Sequence, residues 1–316
     1  MFRKNEDRVV TSGSYSGLMF PIRFSKQSMF IQFFLMMVFS VIALNPLSAQ
    51  TDLPLTYLWK PKYYASVEGQ ERLTYARSFA RSQMKFADLD GDDDMDLLIG
   101  KGDGRLALFR NLGNPKESNL LLETEDFEVI HEEKDANQQL MYLNKIVDVG
   151  KNAAPDLADI DDDGDLDLFV GSSDGQIFFF ENRGNKLLPK FFRVTPIYMN
   201  LNFVGNSVPR FADLNGDLAK DLIVGLKDGR VMIYFNSGVS TNALFCKEYD
   251  PLNPPDPRCK FQPLMLTNIS PLGDASPTLV DWDRDKDMDI VIGKSNGKLD
   301  FFWNKGNPIV PDWHLE

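Results

Sequence analysis

Histidine, cysteine and basic residues are scarce in this sequence. Its 316 residues include only two histidines and two cysteines, and 34 lysines and arginines stand against 46 aspartates and glutamates, for a formal net charge of −12. So few His and Cys residues argue against a zinc finger, a His-rich metal centre or a Cys/His nucleophile. The acidic excess argues against a nucleic-acid partner, which requires a basic face to replace the counterions of phosphate. The composition favours a site built from aspartate.

The amino-terminal region has the features of a secretory signal. Residues 29–44, MFIQFFLMMVFSVIAL, carry no charge, Arg23 and Lys26 precede them, and Ser48 and Ala49 follow. A positive flank, an apolar run of about 7–15 residues and a small-residue cleavage site describe such a signal, so we place the cut after Ala49. The alternative is an uncleaved membrane anchor, although the run is shorter than the ~20 residues that a spanning helix needs. Membrane contact is expected only through this segment, if it is uncleaved.

A unit of 24 residues occurs four times without a gap. Each copy contains an acidic loop, a short apolar run ending in glycine, a turn such as GDG or SDG, and a second apolar run. Two apolar runs joined by a Gly-containing turn predict a β-hairpin. The copies run over residues 88–111, 159–182, 213–236 and 281–304.

The segments between the copies are expected to supply one more strand per unit. Candidate strands lie at residues 63–67, 127–130, 191–194 and 261–266. A unit of four strands and roughly 40–70 residues has the size of a propeller blade. The sequence therefore predicts an all-β chain, with an N-terminal extension and signal peptide over residues 1–49 and a β-propeller domain over residues 50–316. The four blades are expected at about residues 57–114, 115–185, 186–238 and 239–307. Four blades either close a small ring or form a partial propeller.

The acidic loop of each copy predicts a cation site. Alternate residues of a tight nine-residue loop can turn their carboxylates onto one centre, and carboxylates held that close repel unless a cation lies among them. Calcium accepts 6–8 oxygen ligands in a flexible cage, whereas magnesium demands a strict octahedron. We therefore expect up to four structural Ca²⁺ ions.

The expected side-chain ligands occupy positions 1, 3, 5 and 9 of each loop. They are Asp88, Asp90, Asp92 and Asp96 in copy one, Asp159, Asp161, Asp163 and Asp167 in copy two, Asp213, Asn215, Asp217 and Asp221 in copy three, and Asp281, Asp283, Asp285 and Asp289 in copy four. Position 7 is expected to ligate through its backbone carbonyl. Its residues are Asp94, Asp165, Ala219 and Asp287.

An EF-hand is the competing calcium motif, and it needs a bidentate Glu at position 12. Position 12 of the four loops is apolar, which excludes the EF-hand; its residues are Ile99, Val170, Val224 and Ile292. Among the copies, the second has Gly164 at position 6, whereas the fourth has no glycine in its loop. We expect copies one and two to bind most tightly and copy four to be strained or weaker.

The pattern DxDxDGxxD, followed by an apolar run and Gly, then DG and a strand ending in Asn, resembles the FG-GAP or VCBS repeat. Such repeats build β-propeller blades in integrin α-subunit heads and in many secreted bacterial proteins. The resemblance implies that the loop aspartates ligate Ca²⁺, and Asn215 keeps an oxygen ligand. The family's propellers have seven blades, and the four copies here depart from that number.

Cys246 and Cys259 flank a proline-rich segment between copies three and four. Two cysteines in a secreted chain predict a disulfide. We expect a secreted or cell-surface calcium-binding propeller that binds an extracellular protein or glycan, and an oligomer is compatible with this. We expect no enzymatic activity, because the sequence contains no Ser/His/Asp set, P-loop or nucleophile elbow. The alternatives are a propeller-based polysaccharide-active enzyme or accessory subunit, and a fragment of a larger surface protein.

Overall fold

The computed structural model of the chain describes residues 64–67, 70–73, 82–114, 118–247, 256–266 and 273–316. The predicted leader, including the apolar run at residues 29–44, lies outside these residues. The described residues form β-strands joined by turns, with a single-turn 3-10 helix at Tyr198–Asn200. Within these ranges, no helix is long and apolar enough to cross a membrane. The predicted all-β class is therefore confirmed.

Four antiparallel four-stranded units, one for each copy of the repeat, form a four-bladed β-propeller, as predicted. A hairpin of β1 (Tyr64–Val67) and β2 (Gln70–Leu73) precedes them. Blade one consists of β3 (Gln83–Ala87), β4 (Asp96–Gly100), β5 (Leu106–Asn111) and β6 (Leu120–Thr124). A second hairpin follows, of β7 (Glu128–Lys134) and β8 (Leu140–Ile146).

The remaining three blades have the same order of strands. Blade two consists of β9 (Ala154–Ala158), β10 (Asp167–Gly171), β11 (Ile177–Asn182) and β12 (Phe191–Thr195). Blade three consists of β13 (Ser207–Ala212), β14 (Asp221–Leu226), β15 (Val231–Tyr234) and β16 (Leu264–Met265). Blade four consists of β17 (Ser276–Val280), β18 (Asp289–Gly293), β19 (Leu299–Asn304) and β20 (Trp313–Leu315).

The blade boundaries differ from those expected from the sequence. The outer strand of each blade follows its repeat, so blades one to four end at Thr124, Thr195, Met265 and Leu315 and not near residues 114, 185, 238 and 307. The candidate strand at residues 191–194, for example, is β12, which pairs with β11 of the same blade. The candidates at residues 191–194 and 261–266 contain or overlap the outer strands β12 and β16. Those at residues 63–67 and 127–130 instead fall on β1 and β7, outside the four-stranded units, and the outer strands β6 and β20 were not predicted.

Apolar residues pack between successive blades. Leu98 of blade one and Leu168 of blade two share one buried cluster, and Ile223 of blade three and Ile290 of blade four share another. Between blades two and three, the rings of Phe169 and Phe211 lie 4.2 Å apart. Both faces of the central strands are therefore buried, which explains why they are continuous apolar runs and not alternating ones.

The glycine that ends each central strand allows the next blade to approach closely. A Cβ on Gly171 would lie 2.0 Å from the carbonyl oxygen of Ser207 and 2.7 Å from Cδ of Pro209, both in the next blade. At the same place, the Ser207 amide donates to the carbonyl of Ser172 at 3.0 Å. Gly100 and Gly225 make the same approach to the blades that follow them. The glycine that ends a central strand thus faces a proline of the next blade in three places: Gly100 and Pro155, Gly171 and Pro209, and Gly225 and Pro277.

Charged side chains of three blades meet where the inner strands converge. Asp156 of β9 is fully buried, and its Oδ1 lies 2.6 Å from Nζ of Lys85 in β3. Its Oδ2 accepts a hydrogen bond from the Phe211 amide of β13 at 2.8 Å. Buried Arg210 donates to the carbonyl of Pro155 at 3.2 Å, and burial lowers its pKa while Asp156 opposes that shift.

The fourth blade also meets the first. Ser276 Oγ of β17 donates a hydrogen bond to Gln83 Oε1 of β3 at 2.9 Å. The inner strands of blades one and four are thereby brought together, as in a ring.

We expect Asp156→Ala to destabilise the propeller by about 3–5 kcal/mol, because it leaves buried Arg210 without its neighbouring carboxylate. The free energy of unfolding, measured by denaturant titration, tests this. Asp174→Ala, at an exposed position in a hairpin turn, is the control and should change stability by about 0.5 kcal/mol or less. Equal effects of the two substitutions would contradict a buried charge cluster between the inner strands.

Candidate metal centres

The four acidic loops lie at the same end of the propeller. Loop one (88–96), loop two (159–167), loop three (213–221) and loop four (281–289) each join the first and second strands of a blade. Because the strands of a blade are antiparallel, the turn between the third and fourth strands lies at this end too. One end of the molecule therefore carries all four predicted metal loops.

In three loops, the carboxylates at positions 1, 3 and 5 converge. One oxygen of each lies within 4.8 Å of the others. The groups are Asp88, Asp90 and Asp92; Asp159, Asp161 and Asp163; and Asp281, Asp283 and Asp285. The structure thus brings together the alternate residues that the sequence predicted to face one centre.

The aspartate at position 1 also folds its loop. Asp88 accepts hydrogen bonds from the amides of Gly91 and Asp93, at 2.7 and 3.2 Å. The corresponding aspartate of loop three, Asp213, accepts from Gly216 and Leu218 at 2.7 and 2.9 Å. These bonds wrap the backbone around the carboxylate.

Positions 4 and 6 of every loop have positive φ. In loop two these are Asp162 and Gly164, at 59° and 92°. In loop four they are Arg284 and Lys286, at 68° and 81°. A side chain with a Cβ in this region costs roughly 1–2 kcal/mol, so loop four, which has no glycine, bears strain at both positions.

The aspartate at position 9 holds the loop to the rest of its blade. In blade one, Asp96 accepts from the Leu89 amide at 3.1 Å and from the Asn111 amide at 2.7 Å. In blade three, Asp221 accepts from Leu214 at 2.8 Å and from Asn236 at 2.7 Å. Burial raises the pKa of Asp221 to about 7. Position 9 lies outside the three convergent groups, and its role as a ligand stays a prediction.

The side chain at position 7 is buried in three loops, which the sequence-based interpretation missed by assigning this position to the backbone. Asp94, Asp165 and Asp287 are 3%, 7% and 3% exposed. Burial, followed by repulsion from neighbouring carboxylates, raises the pKa of each to about 6. Oδ1 of each is buried and accepts no hydrogen bond within the described structure. The signal available in the sequence was the Asp at position 7 of three copies.

Loop three has the weakest set of donors. Its position 7 is Ala219, and its position 3 is Asn215, whose Nδ2 donates to Asp217 Oδ2 at 3.1 Å. At positions 1, 3, 5, 7 and 9 it therefore has three carboxylates, two fewer than loop two.

Loop one already contacts two basic side chains. Arg110 Nη1 lies 2.7 Å from Asp96 Oδ2 and 3.5 Å from Asp90 Oδ2. Lys186, from the outer turn of blade two, lies 3.3 Å from Asp88 Oδ2. Within the described residues, the Lys and Arg ion pairs to loop carboxylates all fall in loop one. These cations partly neutralise loop one, so loop two becomes the strongest candidate for a divalent ion.

The asparagine that ends each copy has a structural role that the sequence left unassigned. Its Oδ1 accepts hydrogen bonds from the amides two and eight residues later and so shapes the turn before the outer strand. In blade two, Asn182 accepts from Gly184 at 3.0 Å and from Lys190 at 2.7 Å. Asn111, Asn236 and Asn304 make the same pair of bonds. The turns of blades two, three and four reach toward the preceding blade. Lys186 lies 3.3 Å from Asp88, Ser240 Oγ donates to Asp162 of loop two at 3.0 Å, and Pro308 lies beside Gly216 of loop three.

Cys246 and Cys259 form a disulfide in the structure, with their Cα atoms 5.8 Å apart. Cys246 is buried and lies just after the turn that follows β15. The bridge therefore holds the long connection between β15 and β16 to the body of blade three.

A comparison with known protein families identifies the repeat. Residues 159–224 match a family model described as an FG-GAP-like repeat. This match covers copy two and the first half of copy three, and it confirms the repeat type predicted from the sequence. A search of curated proteins found no match.

Among solved structures, a similar chain belongs to the crystal structure of BBS1N in complex with ARL6DN, soaked with lead. The identity is 14% and the TM-score is 0.29, with 74% of this chain and 81% of that chain covered. A likeness this remote carries no argument about fold or function. The propeller assignment depends on the strand topology.

We expect Lys286→Gly to stabilise the protein by about 1 kcal/mol, because glycine adopts φ near 81° without a Cβ clash. The measurement is denaturant unfolding in excess chelator, which removes any contribution of bound cations. Lys298→Gly, at a nearby position without positive φ, is the matched control and should lower stability by about 0.5–1 kcal/mol. A loss of stability in both variants would contradict strain in loop four.

Proposed function

We propose that the chain is a secreted or cell-surface calcium-binding β-propeller that serves as a binding module for an extracellular protein or glycan. Calcium has a structural role in this proposal, and the propeller has no catalytic one. The observation that carries the calcium assignment is the set of buried Asp94, Asp165 and Asp287 oxygens without a hydrogen-bond donor beside three convergent carboxylates. Buried polar atoms in native proteins almost always have a partner, and a cation supplies one here.

Several properties of the loops favour calcium over other cations. Every donor is a carboxylate or amide oxygen, which suits a hard ion, and neither histidine nor cysteine is present in the loops. Loop two has a carboxylate at each of positions 1, 3, 5, 7 and 9, and their mutual repulsion favours a doubly charged ion. The large coordination number of calcium accommodates this many oxygens on a flexible loop.

The disulfide and the predicted leader support an extracellular location. Disulfides persist in oxidising compartments and are rare in the cytosol of most cells, and Cys246 is bonded to Cys259. FG-GAP-like repeats are typical of extracellular or surface proteins, and this chain contains such a repeat at residues 159–224. The fold alone does not specify a ligand. The proposal of a protein or glycan ligand therefore rests on the extracellular location.

We expect the melting temperature to rise when calcium replaces chelator. Each site occupied at a hundredfold excess over its dissociation constant should add about 2.7 kcal/mol of stability. Asp161→Asn with Asp163→Asn in loop two should remove the largest part of the shift. The matched pair Asp90→Asn with Asp92→Asn in loop one should remove less, because Arg110 and Lys186 already neutralise that loop.

Asp174→Asn, outside the loops, is the control for this experiment and should leave the shift unchanged. A cooperative melt that calcium does not move would contradict the metal assignment and leave the propeller intact.

For the binding role, we expect retention on an extracellular protein or a polysaccharide without any product. The test is a panel of immobilised polysaccharides and matrix proteins, probed with the purified chain in calcium and in chelator, with chromatography of the soluble polysaccharides after incubation. Binding that calcium strengthens supports the module. Shortened or unsaturated oligosaccharides would contradict the non-catalytic role and favour the polysaccharide-active enzyme.

A further inference from the structure

The outer edge of blade two is a long strand that has no strand beside it in the described part of the chain. β8 pairs with β7 on one side, and β7 joins blade two through the parallel pair Ile130 and Phe192. β8 is therefore the last strand of a six-stranded sheet. All seven of its residues are exposed, and the most exposed of its apolar side chains are Tyr142 at 60% and Leu140 at 51%.

This edge lacks the features that normally protect an edge strand. The outer strands of blades one, three and four contain five, two and three residues, whereas β8 contains seven. It contains no proline, and its one charged residue, Lys145, pairs with Glu133 of its own hairpin. A long, largely apolar edge whose one charge is paired within its own hairpin is a template for pairing with another strand.

The backbone of β8 directs alternate residues to the free edge. At one end of the hairpin, the Asp135 amide donates to the carbonyl of Gln139, and at the other, the Val147 amide donates to the carbonyl of Phe127. Hydrogen-bonded and non-hydrogen-bonded pairs alternate along an antiparallel ladder. By this alternation, Met141, Leu143 and Lys145 bond to β7. The backbone groups of Leu140, Tyr142, Asn144 and Ile146 therefore point outward.

The hairpin is held firmly at its base. Val129 and Val147 are 2% and 1% exposed within the apolar cluster shared by blades one and two. Farther along the hairpin, Arg183 of blade two bonds Glu132 of β7 at 2.7 Å. A partner that binds β8 therefore meets a pre-organised strand and loses little conformational entropy.

We propose that β8 is the interface of a homodimer, in which two copies of this chain pair antiparallel through their free β8 edges. The register that places Leu143 opposite Leu143 of the second copy uses every outward-facing backbone group. Leu140 then lies opposite Ile146, and Tyr142 lies opposite Asn144. Each of these is a hydrogen-bonded pair, because both partners direct their backbone groups outward.

The charges on β8 suit a second copy of itself. In this register, Lys145 lies opposite Met141, so the pairing places no like charges opposite each other. Apart from Asn144, which lies opposite Tyr142, the remaining side chains of β8 are apolar. Such cross-strand pairs stabilise a sheet by roughly 0.2–1 kcal/mol each. The strand is thus complementary to itself in backbone, size and charge.

The test is the molar mass of the purified chain, measured by light scattering over about a hundredfold range of concentration. We expect the wild-type mass to be twice that of the monomer at the upper end. Leu143→Lys and Leu143→Glu should each be monomeric, because like charges then face each other across the two-fold axis. An equimolar mixture of the two should recover the doubled mass, since Lys then faces Glu.

Asn144→Pro provides a second variant. Its amide points to the free edge, so proline removes an intermolecular donor and leaves the ladder to β7 intact. We expect a monomer whose melting temperature equals that of the wild-type chain at low concentration, where the wild type is monomeric too.

Two results would overturn the proposal. The first is a wild-type monomer at every concentration, which includes the case of an edge that is covered by another segment of the chain or that binds a different protein. The second is a dimer that persists in both charge variants, which would place the interface elsewhere. A doubled molar mass that returns only when the two charge variants are mixed supports both the interface and its register.

Discussion

Blades one, three and four each depend on one buried carboxylate that joins two distant parts of the backbone. In blade four, Asp289 accepts from the Trp282 amide at the start of the acidic loop and from the Asn304 amide at the end of the third strand, both at 2.9 Å. Loop, hairpin and outer turn are connected through this side chain, because Asn304 in turn shapes the chain that leads to the outer strand. A carboxylate is suited to this position, since its two oxygens accept from two amides that would otherwise be buried without partners.

The same arrangement creates an electrostatic problem at one end of the molecule. In three loops, the carboxylates at positions 1, 3 and 5 lie within 4.8 Å of one another, with a buried aspartate at position 7 beside them. In loop one, Arg110 and Lys186 neutralise part of the negative charge and so reduce the repulsion. In loop three, the repulsion is smaller because the loop has fewer carboxylates. Loop two has neither a basic partner in the described structure nor a reduced number of carboxylates, which makes it the strongest candidate for binding an external cation.

The edges of the blades differ in how much unpaired strand they expose. Most outer strands are too short to recruit another chain, whereas the β7–β8 insertion extends blade two by a strand with seven exposed residues. The loops and this edge are physically separate features, since the loops join inner strands and β8 is the outermost strand. The proposed metal binding and the proposed self-association can therefore be tested by separate substitutions.

The sequence by itself determined the repeat, the hairpins and the acidic loops, because each follows from local pattern: alternate aspartates, an apolar run and a glycine turn. It also located extra strands such as the one at residues 191–194. Only the tertiary structure decided how these strands are distributed among blades, since an outer strand pairs with whichever edge the preceding turn brings it to. The same holds for Lys186 beside Asp88, for Asp156 between Lys85 and Arg210, and for the buried side chains at position 7. Those contacts join residues of different blades or depend on burial, and neither is encoded in the spacing of residues along the chain.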